Sequence, residues 1–264
     1  MDDRELRALE ILEALGVRPA VPFFEGAPAR YIMELLEGLG VATSVDGFGN
    51  VIGHYQGGPA VPLEDRPPIA LVAHMDHPGF ELVEAAGQRG YVARALGGVP
   101  AASLKKPTPA QVLLPDGGRL PAELAPPDQP LSDDPSERLT LVRLDDDIAL
   151  EPPLPVVFAL ADFQLDGDYI RMRALDDLAG CAAILAAVER LVHDSAEADV
   201  YAVFTRAEEV GLFGARLLAE AGTLPGETLV VSIESSPVIP GVAQGDGPVI
   251  RTGDRLYTFD ADAE

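Results

Sequence analysis

The sequence predicts an α/β fold: a mostly parallel sheet covered by helices on both faces, with an inserted small β-barrel-like domain. Three observations carry this. The runs "IALVAH", "DVYAVFT" and "TLVVSIES" are short and almost continuously apolar, as strands buried on both faces are. Runs with apolar residues every three or four positions lie among them, such as "DDLAGCAAILAAVERLVHD", and that spacing is helical. From about 79 to 160 the helical spacing vanishes, and short strand-like runs ("GYVARAL", "AQVLLP", "LTLVRL", "PVVFAL") are broken by Gly, Pro and Asp.

Taken in order, two helices open the chain at about 3–15 and 27–39, with Gly16 and Gly40 as C-terminal stops. "VATSVDGFGNVIGHY" holds two alternating runs around a Gly-Phe-Gly-Asn turn, which reads as a hairpin. A Gly/Pro-rich loop, "QGGPAVPLEDRPP", leads into a strand at 69–73. Within the β-rich block, "PAELAPPDQPLSDDPSE" reads as a surface loop. From about 168 helix and strand alternate again: the long helix, a strand at 200–205, a helix in "VGLFGARLLAEAG" and a strand at 228–233. The domain reading is therefore a discontinuous α/β unit, 1–78 and 161–264, interrupted by a β-rich unit, 79–160.

The totals bound what the chain meets. It has 264 residues, 47% of them hydrophobic, and 43 acidic against 19 basic residues for a net charge of −24. It is thus a folded chain, and nucleic acid and anionic membrane surfaces are poor partners for it. The single cysteine, Cys181, allows no internal disulfide and suits a reducing compartment; its apolar helical surroundings make it core. The opening "MDDRELRALEILEALG" is an acidic amphipathic helix without the basic start or cleavage site of a signal peptide. No apolar run approaches the roughly 20 residues that span a bilayer. A cytoplasmic protein is the simplest expectation.

Sites on open α/β sheets form beyond the carboxyl ends of the strands, and there the polar groups collect. The first strand delivers His74 and Asp76, the second Glu208 and Glu209, the third Glu234; Asp176 and Asp177 stand at the start of the long helix. Each alone has an ordinary reading. Asp176-Asp177 would cap a helix, Glu208-Glu209 would be a solvated turn, and His74 would be a structural histidine. Their convergence on one sheet edge is what changes the reading, because gathered carboxylates repel unless protonated or neutralised by a cation. One histidine among carboxylates suits Zn²⁺, Co²⁺ or Mn²⁺ better than Ca²⁺.

The motifs "AHMDHPGF", "RALDDLAGC", "TRAEEVGLFGA" and the acid closing "VVSIE" occur in that order. Together they resemble the M42 group of dinuclear metallo-aminopeptidases, of the clan of co-catalytic zinc exopeptidases, across essentially the whole chain. The resemblance implies a hydrolase that removes N-terminal residues from peptides through a water bridging two divalent ions, with zinc first and cobalt or manganese as alternatives. It implies metal ligands at His74, Asp176, Glu209 and Glu234, with Asp176 shared and Asp177 supporting it. It implies a catalytic pair: Glu208 as general base, and Asp76 orienting His74 from behind, as carboxylates do for metal-bound histidines. It further implies a peptide or small amide substrate, a homo-oligomer and a barrel used mainly in subunit assembly.

The pattern also departs from that group. Aspartate is common where Glu234 stands, and an acid is usual where His77 stands. The group's remaining ligand is a histidine well beyond residue 264, so that on this pattern the C-terminal part of the α/β unit is missing. Of the other histidines, His54 lies in the hairpin, His77 is too close in sequence to His74, and His193 ends a helix whose 19 or so residues span roughly 28 Å. Two other readings therefore accompany the peptidase: an amidase or N-deacylase of the same clan, and a non-catalytic relative acting as a scaffold subunit.

Overall fold

The computed structural model describes residues 3–58, 67–134, 136–238, 240–253 and 258–259. Most of the loop read at 56–68 lies outside them. Helices α1 (Asp3–Gly16) and α2 (Gly26–Gly38) lead into the hairpin β1 (Ala42–Val45) and β2 (Val51–Gln56), then β3 (Ile69–His74). Six strands follow: β4 (Gly79–Ala85), β5 (Gly90–Leu96), β6 (Thr108–Leu113), β7 (Arg119–Ala125), β8 (Leu139–Leu144) and β9 (Pro155–Phe158). A small hairpin, β10 (Gln164–Asp166) and β11 (Tyr169–Arg171), precedes α3 (Leu175–His193), β12 (Asp199–Thr205), α4 (Phe213–Glu220) and β13 (Leu229–Ser232).

The main sheet runs β1-β2-β12-β3-β13. It is mixed, which corrects the expectation of a mostly parallel sheet. β12 pairs in parallel with β3, and β13 with β3, but β2 runs antiparallel to both β1 and β12. The cause is the hairpin: two strands joined by a tight turn can only pair antiparallel, and its second strand docks directly on β12. Strand periodicity then sorts side chains to two faces. Val51, Ala73, Ala202 and Phe204 pack against Ile11, Leu15, Ile32, Leu36, Leu178 and Leu185 from α1, α2 and α3. On the other face, Ile52, Ala70 and Val203 meet Leu218 of α4. There β13 stays largely open, with Val230 58% exposed.

The six middle strands close into an antiparallel barrel in the order β4-β5-β8-β7-β6-β9. Its core includes Phe80, Leu82, Val112, Leu124, Val142 and Val156. β7 corrects the first five residues of the loop read at 121–137. Pro121 and the later prolines masked an alternation in which Ala122 and Leu124 point inward, and Pro121 is accommodated opposite Gln111.

A polar clamp joins the barrel to the end of α1 and the start of α3. Arg119 Nη1, at the start of β7, donates to both Asp162 oxygens at 2.9 and 2.8 Å, and its Nη2 donates to the Val17 carbonyl at 2.7 Å. Buried Arg173 pairs with the same carboxylate at 2.7 Å. Gly16 lies against this junction, where a Cβ would come within 2.5 Å of the Asp162 carbonyl. Among the described residues, no helix is long and apolar enough to cross a membrane.

Leu185 is fully buried where α3 meets the sheet. Leu185→Ala is expected to cost about 2–5 kcal/mol through lost transfer energy and the cavity left behind. Urea unfolding of the two proteins measures it.

Candidate metal centre

Strand β3 ends in His74, only 3% exposed. Its Nδ1–H donates to the Asp76 carbonyl at 2.9 Å, which fixes the ring and turns Nε2 outward. Nε2 lies 3.1 Å from Asp176 Oδ1, 3.7 Å from Glu234 Oε2 and 3.8 Å from Glu208 Oε2. One imidazole thus faces three carboxylates drawn from three separate parts of the chain. Burial would lower the His74 pKa, but hydrogen bonds to Asp176, Asp76 and Glu234 outweigh it and raise the pKa far above the ordinary imidazole value.

Asp176 and Asp177 share a cis peptide and depart from helical φ/ψ, so the regular turns of α3 begin beyond them. The two carboxylates reach His74 by different groups. Asp176 points to His74, whereas Asp177 is 1% exposed and accepts N–H bonds from His74 at 3.3 Å and Gly180 at 3.2 Å. A set of ligand-capable atoms on His74, Asp177 and Glu234 lies within 4.8 Å of one another. Its acidic member from this pair is Asp177, the residue expected only to support. Burial first, and the neighbouring Glu234 charge next, push the Asp177 carboxyl up to about 8. Burial likewise pushes Glu208 to about 7 and raises Glu209.

Asp76 is fully buried. Its carboxylate stands 3.7 Å from His74 Nδ1, while its backbone oxygen makes the closer contact. The two carboxylate oxygens instead accept the N–H groups of Glu208 at 3.0 Å and Glu209 at 3.2 Å. Asp76 thereby ties the end of β3 to the turn after β12. Glu209 is directed to the barrel, where its Oε2 accepts the Gly98 N–H at 3.2 Å. Gly97 beside it has φ +75°, and a Cβ there would come within 2.8 Å of Glu209, so both backbone conformation and contact require glycine.

The turn carrying Glu208 and Glu209 is itself unusual, because Ala207 and Leu212 have φ +52° and +57°. Such backbone costs about 1–3 kcal/mol per residue and persists only where the surroundings fix it. Asn50, fully buried, accepts the Arg206 N–H at 3.1 Å and donates to the Gly214 carbonyl at 3.0 Å. Glu25, Asn50, Gly98 and Arg206 were not singled out from the sequence. Asn50 reads there as a hairpin turn residue, and its partners lie 156 and 164 positions away.

The other histidines do not join the cluster. His54 Nε2 pairs with Asp199 at 2.7 Å and its ring stacks on Tyr201. His193 is exposed beside Asp194. His77 is 1% exposed; its Nδ1–H donates to the Pro78 carbonyl, its Nε2 has no hydrogen-bond partner, and burial lowers its pKa to about 4. It is therefore a neutral buried ring. A cavity of about 270 Å³ lies away from His74, between α4 and the sheet, lined by residues including Val203, Leu218, Leu224 and Val230.

A single nitrogen donor amid hard carboxylate oxygens, with too much negative charge for the one imidazole to balance, fits a small divalent ion of the zinc type. Comparisons with known proteins bear on the family and the fold. Residues 148–263 match the family model described as M42 glutamyl aminopeptidase. A protein of Acetivibrio thermocellus named "Putative aminopeptidase" is 35% identical over 103 residues, covering 36% of this chain and 30% of that protein. The chain thus spans under a third of that curated relative's length. Among solved structures, the dodecamer PhTET1-12s is 26% identical with a TM-score of 0.78, covering 100% of this chain and 78% of that one. The Pyrococcus horikoshii TET1 peptidase, described as assembling into a tetrahedron or a large octahedral shell, is 25% identical with a TM-score of 0.77, covering 97% and 78%. An aminopeptidase of Desulfurococcus kamchatkensis is 23% identical with a TM-score of 0.72, covering 93% and 68%, and shares the fold.

Asp76→Asn keeps one acceptor oxygen and leaves either the Glu208 or the Glu209 N–H unpaired. A loss of about 1–3 kcal/mol is expected. Chemical unfolding that leaves the midpoint unchanged would contradict this geometry.

Proposed function

We propose that this chain is a metal-dependent exopeptidase that removes N-terminal residues from peptides, a reading supported by the order of its motifs, by the match of residues 148–263 to the M42 family model and by the fold it shares with PhTET1-12s. The observation carrying this is His74 Nε2 with Asp176, Glu234 and Glu208 all within 3.8 Å. His74, Asp176 and Glu234 would hold one divalent ion, and Asp176 with Glu209 a second; Asp177 supports the set. When bound, such ions lower the pKa of a shared water and polarise a scissile carbonyl.

The protein's own groups do the rest. Glu208 takes a proton at its carboxylate and later returns it to the leaving amine. Asp76 holds the backbone of Glu208 and Glu209, so the base and its acidic neighbour keep a fixed spacing from His74. The acidic rim favours a substrate's free ammonium over a blocked terminus. We take 1–78 and 161–264 as one catalytic unit interrupted by 79–160, and a homo-oligomer as the working assembly, since the TET neighbours are described as multimers.

Elemental analysis is expected to find about two metal ions per chain, with hydrolysis of aminoacyl-anilides in Zn²⁺, Co²⁺ or Mn²⁺. Glu208→Gln should lower turnover by about 10²–10⁴-fold with metal content unchanged. Faster hydrolysis of N-acylated than of free-amine substrates would replace the exopeptidase with an amidase or N-deacylase. No turnover on either class would leave a non-catalytic scaffold.

Metal binding has its own readout. Zn²⁺ at a hundredfold excess over its Kd should add about 2.7 kcal/mol of stability. His74→Ala is expected to erase that gain in thermal melts, and an undiminished gain would move the metal elsewhere.

A further inference from the structure

Among the described residues, Glu25 is a buried carboxylate that the proposed chemistry leaves without a task. It stands at the N-cap position of α2, where a side-chain oxygen ordinarily accepts one of the helix's first N–H groups. Here it makes no such bond. Its oxygens turn instead to the segment before Glu208. Oε1 accepts the N–H of Ala207 at 2.9 Å and of Phe23 at 2.8 Å. Oε2 accepts Arg206 Nε–H at 3.0 Å and pairs with Nη2 at 3.0 Å. The Arg206 guanidinium then reaches the Phe48 and Phe23 carbonyls at 3.0 and 2.7 Å.

Two buried carboxylates therefore hold three consecutive N–H groups. Glu25 takes that of Ala207, and Asp76 takes those of Glu208 and Glu209. Ala207 is held at φ +52° between them, a conformation an alanine leaves unless it is fastened. Released, it would relax to negative φ and swing the next peptide plane, carrying Glu208 with it. A displacement of about 1 Å at a catalytic group can cost on the order of 10²-fold in rate.

We infer that Glu25 is a positioning residue for the acidic pair: it acts through the Ala207 N–H and Arg206 to set where Glu208 presents its carboxylate. The inference rests on the proposed role of Glu208 as base. The hydrogen bonds that carry it stand independently of that role.

The test compares the full chain with Glu25→Gln, which keeps size and one acceptor, and with Ile184→Val, a core variant remote from the turn. Amide exchange at Ala207, Glu208 and Glu209 should quicken by about tenfold or more in Glu25→Gln, as local opening predicts, and stay unchanged in Ile184→Val. On an aminoacyl-anilide with added Co²⁺, Glu25→Gln should lose about 10–100-fold in kcat with KM within about twofold. Ile184→Val should keep its kcat. Wild-type exchange at the three amides in Glu25→Gln would overturn the inference, as would kcat losses that follow the melting temperature equally in both variants. If the wild-type chain hydrolyses no amide, the base assignment fails, and exchange at the three amides alone decides whether Glu25 fastens the turn.

Discussion

The buried carboxylate of Asp76 sits where three pieces of the chain must agree. Its backbone oxygen accepts the His74 ring N–H, and its side chain accepts the Glu208 and Glu209 N–H groups. A carboxylate with no exposed surface is costly unless its oxygens are bonded, so the end of β3 and the turn after β12 are locked together by the cost of separating them. The parallel pairing of the two strands brings Thr205 opposite His74. It thereby sets the starting point from which Asp76 can reach across. The placing of Glu208 and Glu209 relative to His74 depends on this crossing.

The barrel belongs to the same arrangement. Gly98 donates to Glu209 from the loop after β5, and that loop is held in turn by Arg138, whose guanidinium bonds the Gly97 and Val99 carbonyls. On the opposite flank the His77 N–H bonds the Ala20 carbonyl, and Asp162 gathers Arg119 and Arg173. A side chain at the centre is thus oriented by strands that form a separate core of their own. That coupling gives the barrel a part in the arrangement around His74.

The charge pattern shows the same economy. Glu208, Asp177 and Glu25 are all carboxyls whose pKa burial raises. Each is offset by donors supplied nearby: His74 for the first, backbone N–H groups for the second, Arg206 and backbone N–H groups for the third. Most acidic side chains among the described residues face solvent, where their charge costs little, but at the end of the sheet carboxylates are gathered where only cations or shared protons relieve them.

The sequence by itself determined the helices, the strands of the main sheet, the barrel-forming block and the acidic clusters at the strand ends. These follow from local periodicity and from which residues a strand end delivers, and a few neighbours suffice to read them. The mixed character of the sheet was not legible, because whether a hairpin docks beside a parallel strand is decided by packing between distant segments. β7 was hidden by its proline and by the Pro/Asp run after it. Tertiary structure alone decided that Asp76 holds backbone N–H groups more closely than it holds His74, that Asp176 meets the His74 ring while Asp177 accepts its backbone N–H, and that Glu25 bonds a turn 182 residues away. The physical reason is the same in each case. A side chain's partner is set by which backbone groups the fold leaves unpaired nearby, and that is known only once the fold has formed.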